Sequence, residues 1–192
     1  PTPEYVIKDV QVAAEDTSNH KYSPVAGLTI LKEDIVRTSE LYSGINVNQE
    51  NVLVSNGGKH AILTTFMSIL NPGDEVLIPS PYWTTYPEAV KISGGNPVIV
   101  DTEFGDDFKI NTDQLDALKT SRTKVLVWVS PSNPTGVVYT KEEAEKIYTW
   151  AFENNVWILS DELYEHLVYE GKTSPSPAQY DTGLKNTIVI NG

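Results

Sequence analysis

The sequence contains no cysteine and only three histidines. Without cysteine the chain has no disulfide, no thiolate ligand for a metal and no thiol nucleophile. His20, His60 and His166 show none of the spacings that metal ligands adopt, so we expect no metal site. No Gly-x-Ser-x-Gly sequence marks a serine nucleophile. The composition therefore excludes thiol catalysis and gives no sign of a catalytic triad or a metal centre.

Positive charge is also scarce. Lysine and arginine number 14 against 26 aspartates and glutamates, which gives a formal net charge of −12. Such a chain lacks the basic surface through which proteins bind nucleic acid. No apolar run approaches the roughly 18 residues that a membrane span requires, and no signal peptide is visible. With the lack of cysteine, these features predict a cytoplasmic protein that binds neither membrane nor nucleic acid.

What the chain does contain is a regular alternation of short apolar runs with segments of helical periodicity. Several of the short runs are continuously apolar, which is typical of strands buried on both faces. We therefore predict an α/β fold, a three-layer sandwich around a mostly parallel sheet. The predicted strands cover 51–55, 75–79, 97–101, 124–129, 156–159 and 187–190; the predicted helices cover a short segment within 6–14 and about 29–42, 59–70, 83–93, 112–120 and 141–153.

The stretch 124–164 carries the most chemistry. Two apolar runs in it each end in a polar cluster, Ser-Pro-Ser-Asn-Pro-Thr-Gly at 130–136 and Ser-Asp-Glu-Leu-Tyr at 160–164. Ligands of α/β sheets bind beyond the carboxyl ends of the strands. Asn133, Asp161 and Tyr164 are therefore expected to converge on one small molecule. A carboxylate at the end of a buried strand needs a partner or must be neutralised.

Two other predicted strands also end in binding signals. Asn-Gly-Gly-Lys at 56–59 leads into a helix, so free backbone N–H groups at its positive end suit a phosphate. The alternative is a simple strand-to-helix turn. Tyr82 and Trp83 follow the strand at 75–79 and offer a stacking platform for a planar ring. The alternative there is a helix start whose aromatic side chains fill the core.

Six short motifs together resemble the fold type I, pyridoxal-phosphate-dependent aminotransferases of class I and II, near the aspartate aminotransferase group. They occur in that family's order and spacing along almost the whole chain, so the set is far more specific than any one member. The motifs are Tyr-Ser-Pro-Val-Ala-Gly at 22–27, Asn-Gly-Gly-Lys at 56–59, Asn-Pro-Gly-Asp-Glu-Val at 71–76, Ser-Pro-Tyr-Trp at 80–83, Ser-Pro-Ser-Asn-Pro-Thr-Gly at 130–136 and Asp-Glu-Leu-Tyr at 161–164.

The resemblance implies that Gly57, Gly58 and Lys59 bind the phosphate of pyridoxal 5'-phosphate, the last two through their backbone amides. Tyr22 corresponds to the tyrosine that reaches the phosphate bound in the neighbouring subunit. The resemblance therefore implies a homodimer.

The same resemblance assigns the ring of the cofactor. Trp83 would stack on the pyridine ring and help bind the substrate. Asn133 would hydrogen-bond the phenolic oxygen and lie near the substrate carboxylate, and Tyr164 would bond the same oxygen. Asp161 would pair with the protonated ring nitrogen, which makes the ring a better electron sink. Asp161, Tyr164 and Asn133 are the predicted catalytic residues.

The implied reaction is transfer of an amino group between an amino acid, aspartate or an aromatic one, and a 2-oxo acid. A β-elimination or decarboxylation on the same scaffold is an alternative, because the cofactor cradle is shared. A cofactor-binding module without catalysis is another. A generic doubly wound nucleotide-binding domain with chance motif matches is the third.

The resemblance also predicts what this chain lacks. The family's Schiff-base lysine should follow the strand at 187–190, whereas Lys172 and Lys185 both precede it. We expect an N-terminal segment and loop at 1–28, a partial cofactor-binding domain at 29–192, a shortened N-terminal arm, and no C-terminal small domain with its substrate-binding arginine. Without that lysine and arginine, we expect this chain alone to be inactive. Exposed sheet edges promote association, so we also expect it to be marginally stable or aggregated.

Overall fold

A parallel β-sheet forms the centre of the computed structural model, which describes residues 1–171 and 173–192. The strands pair in the order β2-β1-β3-β4-β5, and every pair is parallel. Five of the six predicted strands are thereby confirmed; Lys172 lies outside the described residues. The strands are β1 (Glu75–Pro79), β2 (Asn96–Val100), β3 (Thr123–Val129), β4 (Trp157–Asp161) and β5 (Thr187–Ile190).

Helices cover both faces of this sheet. Their bounds are α1 (Glu4–Glu15), α2 (Thr29–Ser43), α3 (Gly58–Ile69), α4 (Thr85–Ile92), α5 (Thr112–Leu118) and α6 (Lys141–Glu153). α3 and α4 pack with one set of strand side chains, and α5 and α6 pack with the alternate set. Within β3, for example, Leu126 contributes to one core and Val127 to the other. This arrangement confirms the predicted three-layer α/β sandwich.

The strand order positions the ligand-binding edge. After β1 the chain adds β2 on one side, then crosses back to place β3 on the other side of β1. Such a reversal opens a crevice at the carboxyl ends of the two strands that flank it. β4 lies next to β3, with Val129 in register with Asp161. The segments that follow β1, β3 and β4 therefore meet at one edge of the sheet.

Local hydrogen bonds explain where the helices begin and end. The Thr140 hydroxyl accepts a bond from the Glu143 N–H at 3.2 Å, and the Glu143 carboxylate accepts one from the Thr140 N–H at 2.6 Å. This reciprocal capping box starts α6. Asn111 and Gln114 form the same arrangement at the start of α5. Gly44, in the left-handed conformation, ends α2. The starts of α5 and α6 agree with the helices predicted at 112–120 and 141–153, and α2 ends one residue beyond its predicted end at 42.

The predicted strand at 51–55 is wrong. Gln49–Asn51 forms a 3₁₀ turn, because Asn48 and Asn51 cap each other, and the residues that follow pair with no described strand. The only ladder-like bond here runs from the Val54 N–H to the Ala26 carbonyl at 3.1 Å. An apolar run favours extended backbone, but it cannot specify a neighbouring strand to pair with.

The helix predicted at 83–93 begins later, at Thr85. Pro87 explains the shift. Proline has no N–H and is tolerated only in the first turn of a helix. A helix that began at Trp83 would require the amide of residue 87 as a donor within the ladder.

The N-terminal part of the chain packs loosely against the rest. No residue of α1 is buried, and Tyr5, Val10 and Val12 are exposed. The division of the chain at residue 28 stays a prediction, although α2 does begin at Thr29. Among the described residues, no helix has the length and apolarity to cross a membrane.

Gly27 holds the loop at 21–28 close to the segment that precedes α3. Its φ is 104°, and a Cβ built on it would lie 2.5 Å from Cγ2 of Val54. A side chain at this position is therefore excluded both by backbone conformation and by contact. The loop and the segment can approach because this residue is glycine.

We predict that Gly27→Ala separates the loop from the segment and increases the amide exchange rate of Val54 by roughly 10- to 100-fold, as expected for ~1–3 kcal/mol of local strain. Gly105→Ala is the control, since nothing lies within 4 Å of a Cβ there and its φ is not positive. Unchanged exchange at Val54 in Gly27→Ala would contradict the assignment.

Candidate functional site

A buried carboxylate lies at the edge where the loops meet. Asp161 is the last residue of β4 and is 6% exposed. Its Oδ2 accepts a hydrogen bond from the Tyr86 hydroxyl at 2.6 Å, and its Oδ1 accepts one from the Leu163 N–H at 3.3 Å. Burial raises the pKa of Asp161, and the two hydrogen bonds oppose that rise. The site therefore holds a carboxylate in a place where its charge is costly.

No cation compensates this carboxylate within the described part of the chain. Every ion pair there involves other acidic groups, and Asp161 takes part in none of them. A buried carboxylate without a cation is usually neutralised or paired with a ligand. Asp161 consequently has the chemistry to bind a cationic or N–H-bearing group.

The two neighbouring glutamates, Glu162 and Glu165, turn elsewhere. The Glu162 carboxylate accepts hydrogen bonds from the hydroxyls of Ser160 at 2.7 Å and Ser176 at 2.5 Å. Burial raises the pKa of Glu162 to about 7. The Glu165 carboxylate contacts the end of α2 and the residue after β5. Asp161 alone of the three bonds to Tyr86.

The start of α3 supplies unpaired backbone donors next to this carboxylate. Gly57, with φ 83°, makes the turn, and its own N–H bonds to the Ser55 carbonyl at 2.9 Å. The N–H groups of Gly58 and Lys59 have no acceptor among the described residues. A Cβ on Gly58 would lie 3.3 Å from the Leu163 side chain, so this helix start is adjacent to the turn that follows Asp161. It is a well-placed anion site.

Aromatic side chains connect the anion site to the carboxylate. Lys59 Nζ lies 5.3 Å from the centroid of the Trp83 ring. Trp83 meets Tyr86 edge to face, with centroids 5.7 Å apart and planes at 86°. Tyr86 in turn donates to Asp161. A continuous row of contacts therefore joins the start of α3, a half-buried tryptophan and the buried carboxylate.

Asn133 and Tyr164 lie on a neighbouring wall. Both line a cavity of about 800 Å³ between the segment at 130–138 and the segment at 164–170. Asp161 and Trp83 do not line this cavity. Tyr86 links the two regions, because it lines a second, smaller cavity together with Asn133. The structure thus places Asn133, Asp161 and Tyr164 around the same edge, on two adjoining sides of it.

Tyr22 is the predicted site residue that the chain does not bring to this edge. Its side chain is fully exposed. The end of the loop that carries it is held by the hydrogen bond from the Val54 N–H to the Ala26 carbonyl. Its predicted role, which requires a second subunit, stays a prediction.

Tyr86 is the site residue that the sequence did not reveal. It is 1% exposed, and burial together with the Asp161 charge raises the pKa of its hydroxyl. Its position three residues after Trp83, within the helix predicted at 83–93, was a usable signal, since helical residues three apart share a face. A buried tyrosine hydroxyl also needs a partner. Neither signal identifies Asp161 as that partner, which lies 75 residues away.

These groups fit pyridoxal 5'-phosphate. The phosphate requires donors, and the start of α3 presents them. The ring requires an aromatic face, and Trp83 is half-buried beside those donors. The pyridine nitrogen requires an anion, and Asp161 is a buried carboxylate that pairs with no cation among the described residues. Together these groups have the chemistry to bind a phosphate-bearing, flat, cationic ligand.

Comparison with known proteins gives the family. The model of the aminotransferases of class I and II matches residues 1–192, so the chain belongs to that family. An aspartate aminotransferase of Streptomyces avermitilis is 45% identical over 193 residues, covering 100% of this chain and 47% of the relative. An aspartate/prephenate aminotransferase of Thermus thermophilus is 40% identical, covering 100% and 49%. The family uses pyridoxal phosphate, as the resemblance implied.

Solved structures agree with the sequence relatives. The aromatic aminotransferase from Pyrococcus horikoshii superposes with a TM-score of 0.93 at 36% identity, covering 98% of this chain and 51% of that one. The aspartate aminotransferase from Thermus thermophilus with maleate gives 0.92 at 39% identity, covering 100% and 49%. The chain therefore spans about half the length of the proteins it matches.

We predict that Asp161→Asn stabilises the cofactor-free protein at pH 7–8. Because burial raises the pKa of Asp161, the folded state binds more protons than the unfolded state above the ordinary pKa of about 4. The carboxylate therefore lowers the free energy of unfolding as the pH rises from about 4 through the raised pKa of Asp161. An amide does not titrate, so Asp161→Asn avoids this loss. Denaturant melts at pH 7.5 and below pH 4 should show a gain only at the higher pH.

Asp181→Asn is the matched control for this prediction. Asp181 is 3% exposed and accepts bonds from the N–H groups of Lys185 at 2.8 Å and Asn186 at 3.0 Å. Replacing the Asp181 carboxylate should lower the free energy of unfolding by about 1–3 kcal/mol. If Asp161→Asn destabilises the protein as much as Asp181→Asn, the carboxylate is a structural group and not a strained binding group.

Proposed function

We propose that the full-length protein is an aminotransferase that moves an amino group between an amino acid and a 2-oxo acid with pyridoxal 5'-phosphate as cofactor. The observation that carries this proposal is Asp161, a buried carboxylate at the carboxyl end of β4 that pairs with no cation among the described residues. Its linkage through Tyr86 and Trp83 to an anion site supports the same conclusion. Membership of the aminotransferase family agrees with it.

The start of α3 would hold the phosphate. The N–H groups of Gly58 and Lys59 would donate to it, and the positive end of the helix would favour its charge. Gly57 would provide the left-handed turn that exposes these amides. The phosphate would anchor the cofactor without taking part in the reaction, so the start of α3 would fix the position of the cofactor.

Five side chains would act on the ring, directly or through a neighbour. When bound, pyridoxal phosphate supplies an electron sink for the substrate's α-carbon. Asp161 would keep a proton on the ring nitrogen, and Tyr86 would keep Asp161 ionised and correctly oriented. Trp83 would cover one face of the ring and exclude water. Asn133 and Tyr164 would donate to the phenolic oxygen, and Asn133 would also lie beside the substrate carboxylate.

The substrates we infer are aspartate or an aromatic amino acid with a 2-oxo acid. The names of the similar proteins support both classes, since they include aspartate, aspartate/prephenate and aromatic aminotransferases. We also infer a cytoplasmic homodimer in which Tyr22 reaches the cofactor phosphate of the partner subunit. Its fully exposed ring on an outlying loop supports that role.

Turnover of the full-length protein tests the proposal. Wild-type protein loaded with pyridoxal phosphate should convert aspartate or an aromatic amino acid with 2-oxoglutarate, and Asp161→Ala should lower kcat by at least about 100-fold, as loss of a preorganised charge does. Asp106→Ala, an exposed carboxylate in a 3₁₀ turn, is the control. Near-normal turnover by Asp161→Ala with the cofactor bound would refute the assigned role.

The phosphate site has its own test in the pair Gly58→Pro and Gly58→Ala. Residue 58 is the first residue of α3, where proline is accepted and removes only the N–H. Both variants add a Cβ, which would lie 3.3 Å from the Leu163 side chain. We expect Gly58→Pro to bind pyridoxal phosphate about 10-fold more weakly than Gly58→Ala, the effect of one hydrogen bond to a charged group. Equal affinities in an absorbance titration would place the phosphate elsewhere.

A further inference from the structure

A second carboxylate near the site connects four segments of the chain. Oε2 of Glu165 accepts a hydrogen bond from the Ser43 hydroxyl at 2.6 Å, and Oε1 accepts one from Nδ2 of Asn191 at 2.5 Å. The carbonyl of Ser43 accepts a third bond, from Nε2 of Gln179 at 2.6 Å. The network thus joins the end of α2, the turn after β4, the 3₁₀ turn at Pro177–Gln179 and the exit of β5.

The surroundings of Glu165 bury most of its side chain. It is 15% exposed, and its Oε1 lies 3.7 Å from Nε2 of the His166 ring. That ring in turn packs edge to face on Tyr42 at 5.0 Å. Hydrogen bonds to a carboxylate are about twice as strong as those between neutral groups. The link to Ser43 is partly buried and the link to Asn191 is exposed, and both are directional hydrogen bonds to a carboxylate.

The placement of these links relative to the site gives them a function. Glu165 follows Tyr164 directly, and Asn191 follows Ile190, which is in register with Asp161. The Glu162 N–H also bonds to the Ile190 carbonyl at 2.9 Å. The ends of β4 and β5 are therefore held together by backbone hydrogen bonds between the strands and, beyond the last strand pair, by the hydrogen bond from Asn191 to Glu165.

We propose that Glu165 is a positioning residue that fixes the direction in which the chain leaves β5 beside Asp161 and Tyr164. The inference rests on the proposed function and on the expectation from the family resemblance that the Schiff-base lysine follows the strand at 187–190. The structure gives Glu165 no contact with Asp161 or Asn133, so it acts through Asn191 and through the backbone of Tyr164. Its loss would misplace the exit of β5 without removing any cofactor-binding group.

The test compares variants of the full-length protein in pyridoxal phosphate titrations. Glu165→Ala removes both arms and should raise the Kd about 10-fold, with a shift in the pH midpoint of the bound cofactor's absorption band. Glu165→Gln should stay within about threefold of wild type, because its amide oxygen accepts from Asn191 while its NH₂ donates to the Ser43 hydroxyl. Glu153→Ala, an exposed residue at the end of α6, is the control.

A paired exchange keeps the test decisive if Glu165→Ala fails to fold. Asn191→Asp sets two carboxylates against each other and should weaken cofactor binding about 10-fold or more. Adding Glu165→Gln restores a donor opposite the new carboxylate, so the double variant should recover most of that loss. Recovery supports a direct link between the two side chains.

Two results would count against the inference in different ways. If Glu165→Ala and Asn191→Asp lower the melting temperature but leave the Kd and the pH midpoint of the absorption band unchanged, Glu165 is a structural brace only. If wild-type full-length protein binds no pyridoxal phosphate, the proposed function fails and this inference fails with it. The wild-type titration therefore separates the two failures.

Discussion

The hydrogen bond from Tyr86 to Asp161 is the interaction on which the site depends. It crosses from α4 to the end of β4 and connects a helix on one face of the sheet to the ligand-binding edge. Burial opposes ionisation of Asp161, and the tyrosine hydroxyl offsets part of that cost. Among the described residues no cation pairs with the Asp161 carboxylate, and a protonated ring nitrogen would supply one.

The sheet order makes this arrangement possible. Because β1 and β3 are adjacent while β2 lies outside them, α4 packs against the same core as Val127 and Leu159 and brings Tyr86 towards β4. The start of α3 joins the same edge through Gly58 and Leu163. The start of α3, the connection between β1 and β2 and the end of β4 supply these groups, so the groups come together only when the sheet is assembled in this order.

Features governed by local chemistry could be predicted from the sequence, and those governed by distant partners could not. The start of α6 at Lys141 and the strand that leads to Asp161 depend on neighbouring residues, and both elements are confirmed, although β4 is Trp157–Asp161 where the sequence predicted 156–159. The segment at 51–55 has a strand-like sequence but no pairing partner among the described residues, so its prediction is wrong. Tyr86 was missed because its partner is 75 residues away.

The central claim is that Asp161 serves as the counter-ion of a protonated pyridine ring. The nitrogen-15 chemical shift of ring-labelled pyridoxal phosphate, bound to the full-length protein and followed from pH 6 to pH 9, measures this directly. We expect the ring nitrogen to be protonated across this pH range in the wild type and to lose that proton in Asp161→Ala. A ring nitrogen that titrates in the wild type as it does in Asp161→Ala would contradict it.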